Sequence, residues 1–524
     1  MGRLSSSTSP LALFANGEMG VWFAPSSETC FADLEGTTPA SAGQAVALLL
    51  DKSRGLVLGP ELYPTGTAAQ NTPSFWSSNV NAAVVGNTVS LSGSGAFGLR
   101  VGNIPENCVV LIRVSTQNAT VSVRTGGGAG VDISGNLSSG QVFKYIRSVG
   151  VANTLYIRAV ETASGGSYTL EEFSIRNLSG YHTTQPTAAA RPILGREPKS
   201  GRRNILTLTE SMDQWNGLSG EVIVAPSLET SPEGKAFLVT GTSGGSSGLG
   251  RLIDVFGVAA RNLSEPGVVK FWAKRVSGAR QPEYLSGGNR TSYPELPDDG
   301  QWHYISAPVA SGQFQFLTRW TNSEILVAAP QLEFGSVATP YQRVGSIYDV
   351  TEAGQPDCWY LWFDGIDDHM LMPVAFNPAV GSPWNIFAVI NKGPGATGNA
   401  RFIMSGSGAS DNRGVRVSME DFSTIAPRWY TPGTFIKARI NGLPVANSEP
   451  YNESRTNVFY MQHSFPQTAA FSYVLMGSRV ANGGAVTGVG IGRLYSMVIA
   501  PGDITTKLIS DIEKSLASTA GVIQ

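Results

Sequence analysis

Three carboxylates, Asp364, Asp367 and Asp368, form the acidic cluster best placed for chemistry, where an apolar strand gives way to a turn. Cleaving a glycosidic bond needs two carboxyl groups flanking the sugar, roughly 5–5.5 or 6.5–9.5 Å apart according to mechanism. Neighbouring acids in one turn more commonly face water, cap the turn or hold a cation. Calcium suits the three better, because it takes carboxylate and carbonyl oxygens from loops, although their spacing is not that of an EF-hand loop. Other chemistry is sparse. The four histidines, His182, His303, His369 and His463, lie in separate segments without a His-x-x-x-His or Glu-x-x-His pair, so the usual zinc ligands are missing. No Gly-x-Ser-x-Gly sits between strand and helix signals, and Ser405-Gly406-Ser407-Gly408 lacks the Lys-Ser/Thr that would make it a phosphate-binding loop. The expectation is a protein that is not an enzyme and has no cofactor, with calcium the one candidate ion.

Sugar recognition asks for something different: aromatic faces to lie on pyranose rings, with Asn, Asp, Gln or Arg beside them for the hydroxyls. The chain has 10 Trp and 16 Tyr to supply such faces. Near expected strand ends, Trp320 stands with Arg319 and Asn322, Trp429 with Arg428 and Tyr430, and Tyr284 with Asn289 and Arg290. These are the candidate carbohydrate-binding residues. By contrast, Trp272, Trp302, Trp359 and Trp362 lie inside apolar strands and are expected in the core.

The elements that must position these groups are strands. Of 524 residues, 61 are glycine and only 15 % are charged, a balance that favours short strands and turns over long helices. A chain this long exceeds one hydrophobic core and divides into several modules. The net charge of −2 offers no general field toward nucleic acid or an anionic membrane, and neither is expected as a partner. Cys30, Cys108 and Cys358 are too few and too dispersed for a disulfide framework, and are expected as idle thiols of a protein made in a reducing cytoplasm. No apolar run matches a secretory signal or a membrane span.

Five segments follow. Residues 1–58 form a short N-terminal segment, too small to fold alone and expected to dock on another module or on a neighbouring subunit. Residues 59–178 carry short alternating strands such as Val109 to Val114 and Thr154 to Ala159, suited to a β-sandwich. Residues 179–203 lose all periodicity and gather Arg196, Lys199, Arg202 and Arg203, the pattern of an extended solvated linker. Residues 204–345 repeat the layout of the first module. Residues 346–524 form a third sandwich, closed by the one clear helix: Ile504, Leu508, Ile509, Ile512 and Leu516 share a helical face. The fold class expected is all-β, with tandem jelly-roll sandwiches.

Three pairs of stretches carry a family resemblance. Phe363-Asp364-Gly365-Ile366-Asp367-Asp368-His369-Met370, with Ile491 to Ile499 before a terminal helix, resembles the opening and closing strands of concanavalin-A-like (laminin-G-like) sandwiches. Asn204 to Glu210, with Gln331-Leu332-Glu333-Phe334-Gly335-Ser336-Val337-Ala338-Thr339-Pro340-Tyr341, resembles the carbohydrate-binding-type jelly rolls of bacteriophage tail and fibre proteins. Gly20 to Ser26, with Asp51-Lys52-Ser53, is similar to the start of such virion proteins. The resemblance implies a virion structural protein, associated with a fibre or tail and exposed on the particle. It would display lectin-like modules for attachment to host-surface glycans. Its implied partners are other virion proteins, reached through the N-terminal segment, and further copies in a symmetric oligomer with a trimer favoured. The rival readings are a head-fibre or capsid decoration protein without ligand, and a glycan depolymerase.

Overall fold

The structure is a computed structural model that describes residues 8–62, 76–78, 82–85, 88–91, 96–125, 130–148, 151–163, 165–199, 203–217, 222–241, 251–254, 260–278, 281–318, 322–372, 381–391, 400–404, 416–420, 428–430, 435–445, 456–464, 474–475, 478–479, 486–487 and 491–522. The fold is all-β with one α-helix among the described residues, as composition and patterning predict. The chain forms two compact units, Met1–Leu194 with Trp359–Gln524, and Gly195–Cys358.

The first unit holds two sandwiches. In one, the antiparallel sheet Val142–Arg147, Cys108–Gln117, Ser167–Leu178, Thr88–Leu91, Ala82–Val85 packs on a second sheet containing Ala119–Thr125, Leu155–Glu161, Ala96–Val101 and Trp76–Ser78. Alternation decides which side chains meet: Val110, Ile112 and Val114 join Val121, Val123, Leu155 and Ile157 in the core, while Arg113 between them points out. Burying each aliphatic side chain contributes roughly 1.5–3 kcal/mol.

The other sandwich is discontinuous, and here one expectation is corrected. Residues 8–58, expected to dock on another module or a neighbouring subunit, are built into this sandwich. Val21–Phe23 pairs with the closing strand Ile491–Pro501, in the register Val21 to Ile499. Cys30–Phe31 and Leu48–Leu49 form an edge of the facing sheet. Val21, Phe23, Cys30, Val46 and Leu49 are fully buried with Leu361, Phe363, Ile386, Met461 and Met497. The described residues 179–199, expected as part of a solvated linker, are instead paired and partly buried. Thr183–Thr184 bridges Leu48–Leu49 and Met370–Leu371 in that sheet. Both threonines are buried, with the flanking His182 and Gln185. Arg196, expected in a solvated linker, contacts Asp349 at 2.6 Å and Asp357 at 3.1 Å. The buried polar Asp51 ties these segments together: Oδ1 accepts from the Trp22 and Ser53 amides, and Oδ2 from Ser53 Oγ and the Tyr181 amide, all at 2.7–2.8 Å.

The N-terminal segment also contacts the first sandwich. Phe31, Leu48 and Leu50 bury against Val109, Ile146 and Leu178. At Gly36, φ is +61° and a Cβ would come 2.6 Å from Ile146, so only glycine fits. The helix Thr506–Thr519 is capped by Thr505, whose hydroxyl accepts from the Leu508 amide, and it buries Ile509, Ile512 and Leu516. Among the described residues no helix is long and apolar enough to cross a membrane. All three cysteines are free and buried, and burial pushes the Cys30 thiol up to about 12.

The second unit is a single sandwich. Its outer sheet runs Val222–Pro226, Ala236–Gly241, Glu324–Phe334, Gly267–Ser277, His303–Val309, all antiparallel. The facing sheet contains Asn216–Gly217, Arg251–Ile253, Gly312–Thr318, Glu283–Ser286 and Asn289–Ser292. Between them lies an aromatic core in which Phe271 meets Tyr293 edge-on at 4.9 Å and Phe316 at 4.9 Å. The hairpin Gln342–Ser346 and Asp349–Glu352 also belongs to this unit, so the module extends past residue 345 to Cys358.

Candidate functional site

The structure brings Asp364, Asp367 and Asp368 together: one carboxylate oxygen from each lies within 4.8 Å of the others. The turn itself arranges this. Asp364 Oδ1 accepts from the Ile366 amide at 2.8 Å, and Asp368 Oδ2 accepts from the Asp364 amide at 3.0 Å. Gly365 permits the turn, with φ +78° and Ile491 packed where a Cβ would sit. Asp368 is buried, and burial followed by the charge of Asp364 raises its pKa to about 7. Three converging oxygens are a partial set for a hard cation, which takes about 6–8. As a hydrolytic pair they are poorly disposed, because acids of one short turn do not face each other across a sugar.

The aromatic candidates fare differently. Tyr284 is corrected: it is 1 % exposed, stacks on Tyr293 at 4.3 Å and donates its hydroxyl to the Pro308 carbonyl. A ring consumed by core packing offers no face to a sugar. Its expected companions Asn289 and Arg290 are exposed on the adjoining hairpin strand. Asn322 is an exposed turn residue with φ +49°, its amide donating to the Gly241 carbonyl. Arg319 and Trp320 lie outside the described residues. Arg428, Trp429 and Tyr430 form a strand paired with Ser418 to Glu420, and their side chains lie outside the described residues.

A better-formed aromatic site stands where the core was expected. Along Gly267–Ser277, Val269, Phe271 and Ala273 point inward, whereas Lys270, Trp272 and Lys274 point to the other face. Trp272 is cross-strand partner to Tyr304, and their rings meet at 5.5 Å and 66°. Tyr304 is 49 % exposed and Trp272 half-buried, so parts of both rings, packed edge to face, reach solvent. The loop before Ala236–Gly241 borders them. Trp302, also half-buried, donates its indole N–H to the Thr230 carbonyl at 2.9 Å. Lys274 Nζ reaches Glu229 Oε1 at 2.7 Å, and Trp272 Nε1 donates to Glu233 Oε2 at 3.3 Å. The period-2 pattern Lys270, Trp272, Lys274 was the available signal: a Trp that shares its face with two lysines does not belong to the interior.

The string Gln331 to Tyr341, which carries the family resemblance of the second module, is structural in its described contacts. Glu333, 0 % exposed, accepts from the Thr339 amide and hydroxyl at 2.8 Å each. Gln331 Oε1 accepts from the Gln342 amide at 2.6 Å, and Tyr341 donates to Glu210 at 2.6 Å. Lys270 donates to the Thr339 carbonyl beneath this loop. A buried network of this kind locks the last strand onto the first segment of the module.

Comparison with protein families and with curated proteins finds no match. Among solved structures, the chain is similar to the N-terminal CBM22-1–CBM22-2 tandem domain of Xyn10C from Paenibacillus barcinonensis. That likeness has 12 % identity and a TM-score of 0.19, and covers 53 % of this chain and 99 % of the other. A TM-score so low carries no argument about ligand or site, so the account of this protein rests on its own residues.

Proposed function

We propose that this chain is a virion structural protein, of the fibre or tail-associated kind, whose sandwiches attach the particle to cell-surface glycans without cleaving them. The observation that carries the glycan-binding part is the outward pair Trp272 and Tyr304, two adjoining rings bordered by Glu229, Glu233 and Lys274. Aromatic faces take the apolar side of a pyranose, and carboxylates accept its hydroxyls. The virion assignment rests on the sequence resemblance of residues 20–26, 204–210 and 331–341. In this reading the chain works as a homo-oligomer. The exposed part of residues 8–58, which includes Leu11, Met19 and Val57, meets other virion proteins.

The test is binding of the full chain to an array of purified bacterial surface polysaccharides, with analysis of the bound glycan afterwards. Saturable binding that Trp272→Ala removes, with the glycan recovered at full length, is the expected result. Shortened glycan would establish a depolymerase, and no binding would favour a decoration protein whose sandwiches are spacers.

A further inference from the structure

We propose that the Trp272–Tyr304 face selects neutral, hydroxyl-rich saccharides and rejects anionic ones, and that Glu233 is the residue that enforces the choice. The inference rests on the glycan-binding reading above and names the ligand class of that same site. Three side-chain bonds pin the loop of residues 227–235 beside the rings, from Trp302 to Thr230, from Lys274 to Glu229 and from Trp272 to Glu233. The loop is therefore a fixed wall of the site.

The charges on this wall are unequal in what they leave for a ligand. Glu229 is neutralised by Lys274 at 2.7 Å. Lys270, a second cation of the strand, is 5 % exposed and spends its ammonium on the Thr339 carbonyl. Glu233 is exposed, and among the described residues no cation lies within ion-pair distance of it; its recorded bond is the neutral indole N–H of Trp272. Its charge is felt nearby. After burial, Glu233 is the largest influence raising the Tyr304 hydroxyl, and it opposes the effect of burial on Lys270. Lys235, at the end of the loop, is exposed and makes no ion pair with Glu233, so the charge that acts on both rings is negative. A carboxylate only accepts hydrogen bonds, so it receives sugar hydroxyls well and repels a uronate, sulfate or phosphate group held against the rings.

Glu233→Gln separates charge from structure, because the amide oxygen still accepts from the indole. The experiment compares wild type, Trp272→Ala and Glu233→Gln full-length chains on an array of neutral and uronate-bearing polysaccharides. Thermal unfolding confirms that each variant folds. Every glycan whose binding is lost in Trp272→Ala is expected to be neutral, and Glu233→Gln is expected to raise binding of uronate-bearing glycans about tenfold or more relative to neutral ones. Uronate-bearing glycans held by wild type through Trp272 as tightly as neutral ones would overturn the proposal. So would a rank order unchanged in Glu233→Gln. Failure of wild type to hold any glycan, or binding indifferent to Trp272→Ala, would overturn the underlying assignment of the site as well.

Discussion

Removing the carboxylate of Asp51 should unravel the junction that makes residues 8–58 part of the discontinuous sandwich. Asp51 is 0 % exposed and accepts four hydrogen bonds, from the amides of Trp22, Ser53 and Tyr181 and from the Ser53 hydroxyl. In Asp51→Ala three backbone N–H groups lose their acceptor in a site with little access to water. Each such orphan costs about 1–3 kcal/mol, and partial repair by water at Trp22 and Tyr181 brings the sum to roughly 3–5 kcal/mol. That is a large fraction of the stability of an ordinary domain, about 5–15 kcal/mol. Hydrogen exchange read by mass spectrometry localises the effect. Protection should fall at Val21–Phe23, Leu48–Leu49 and the paired strand Ile491–Pro501, and stay unchanged in Gly267–Ser277 of the second unit. A loss below about 1 kcal/mol, or unchanged protection of Val21–Phe23, would refute the claim that this carboxylate holds the segment in place.

His182 predicts a pH dependence. It is 2 % exposed, its Nδ1 accepts from the Asp51 amide, and burial lowers its pKa despite the neighbouring carboxylate. Below the unfolded value of about 6.5 the unfolded chain takes up the proton more readily, so stability falls as pH drops from neutrality toward 5. Denaturant midpoints should show that slope in wild type and a shallower one in His182→Gln; equal slopes would count against it. In the second unit, Thr339→Val removes the hydroxyl that donates to buried Glu333. It should cost about 1–3 kcal/mol in chemical denaturation. A neutral outcome would mean that the network does not bind the closing loop.

Much of the architecture could be read from the residues, and the failures have physical causes. The alternation of Val110, Ile112 and Val114 marks a half-buried strand, and the 3.6-residue spacing from Leu508 to Leu516 marks the terminal helix; both patterns are local. Thr183–Thr184 is a two-residue polar strand whose partners are more than a hundred residues away, and no local pattern records such pairing. The same holds for Val21–Phe23, whose register is set by Ile499. The acid triad was legible because one turn contains it. Tyr284 misled because it is flanked by turn residues yet points inward at Tyr293. Trp272 misled in the opposite sense, since its apolar neighbours outweighed the alternation with Lys270 and Lys274.

The central claim is that Trp272 and Tyr304 form a glycan-binding surface, and calorimetric titration of the strongest polysaccharide found on the array tests it most directly. A ring that stacks on a sugar buries apolar area worth roughly 1.5–3 kcal/mol. Trp272→Ala and Tyr304→Ala should therefore each weaken binding about 10- to 100-fold while the thermal midpoint of the chain changes little. Affinities within about twofold of wild type for both variants would contradict the account and place recognition elsewhere on the molecule.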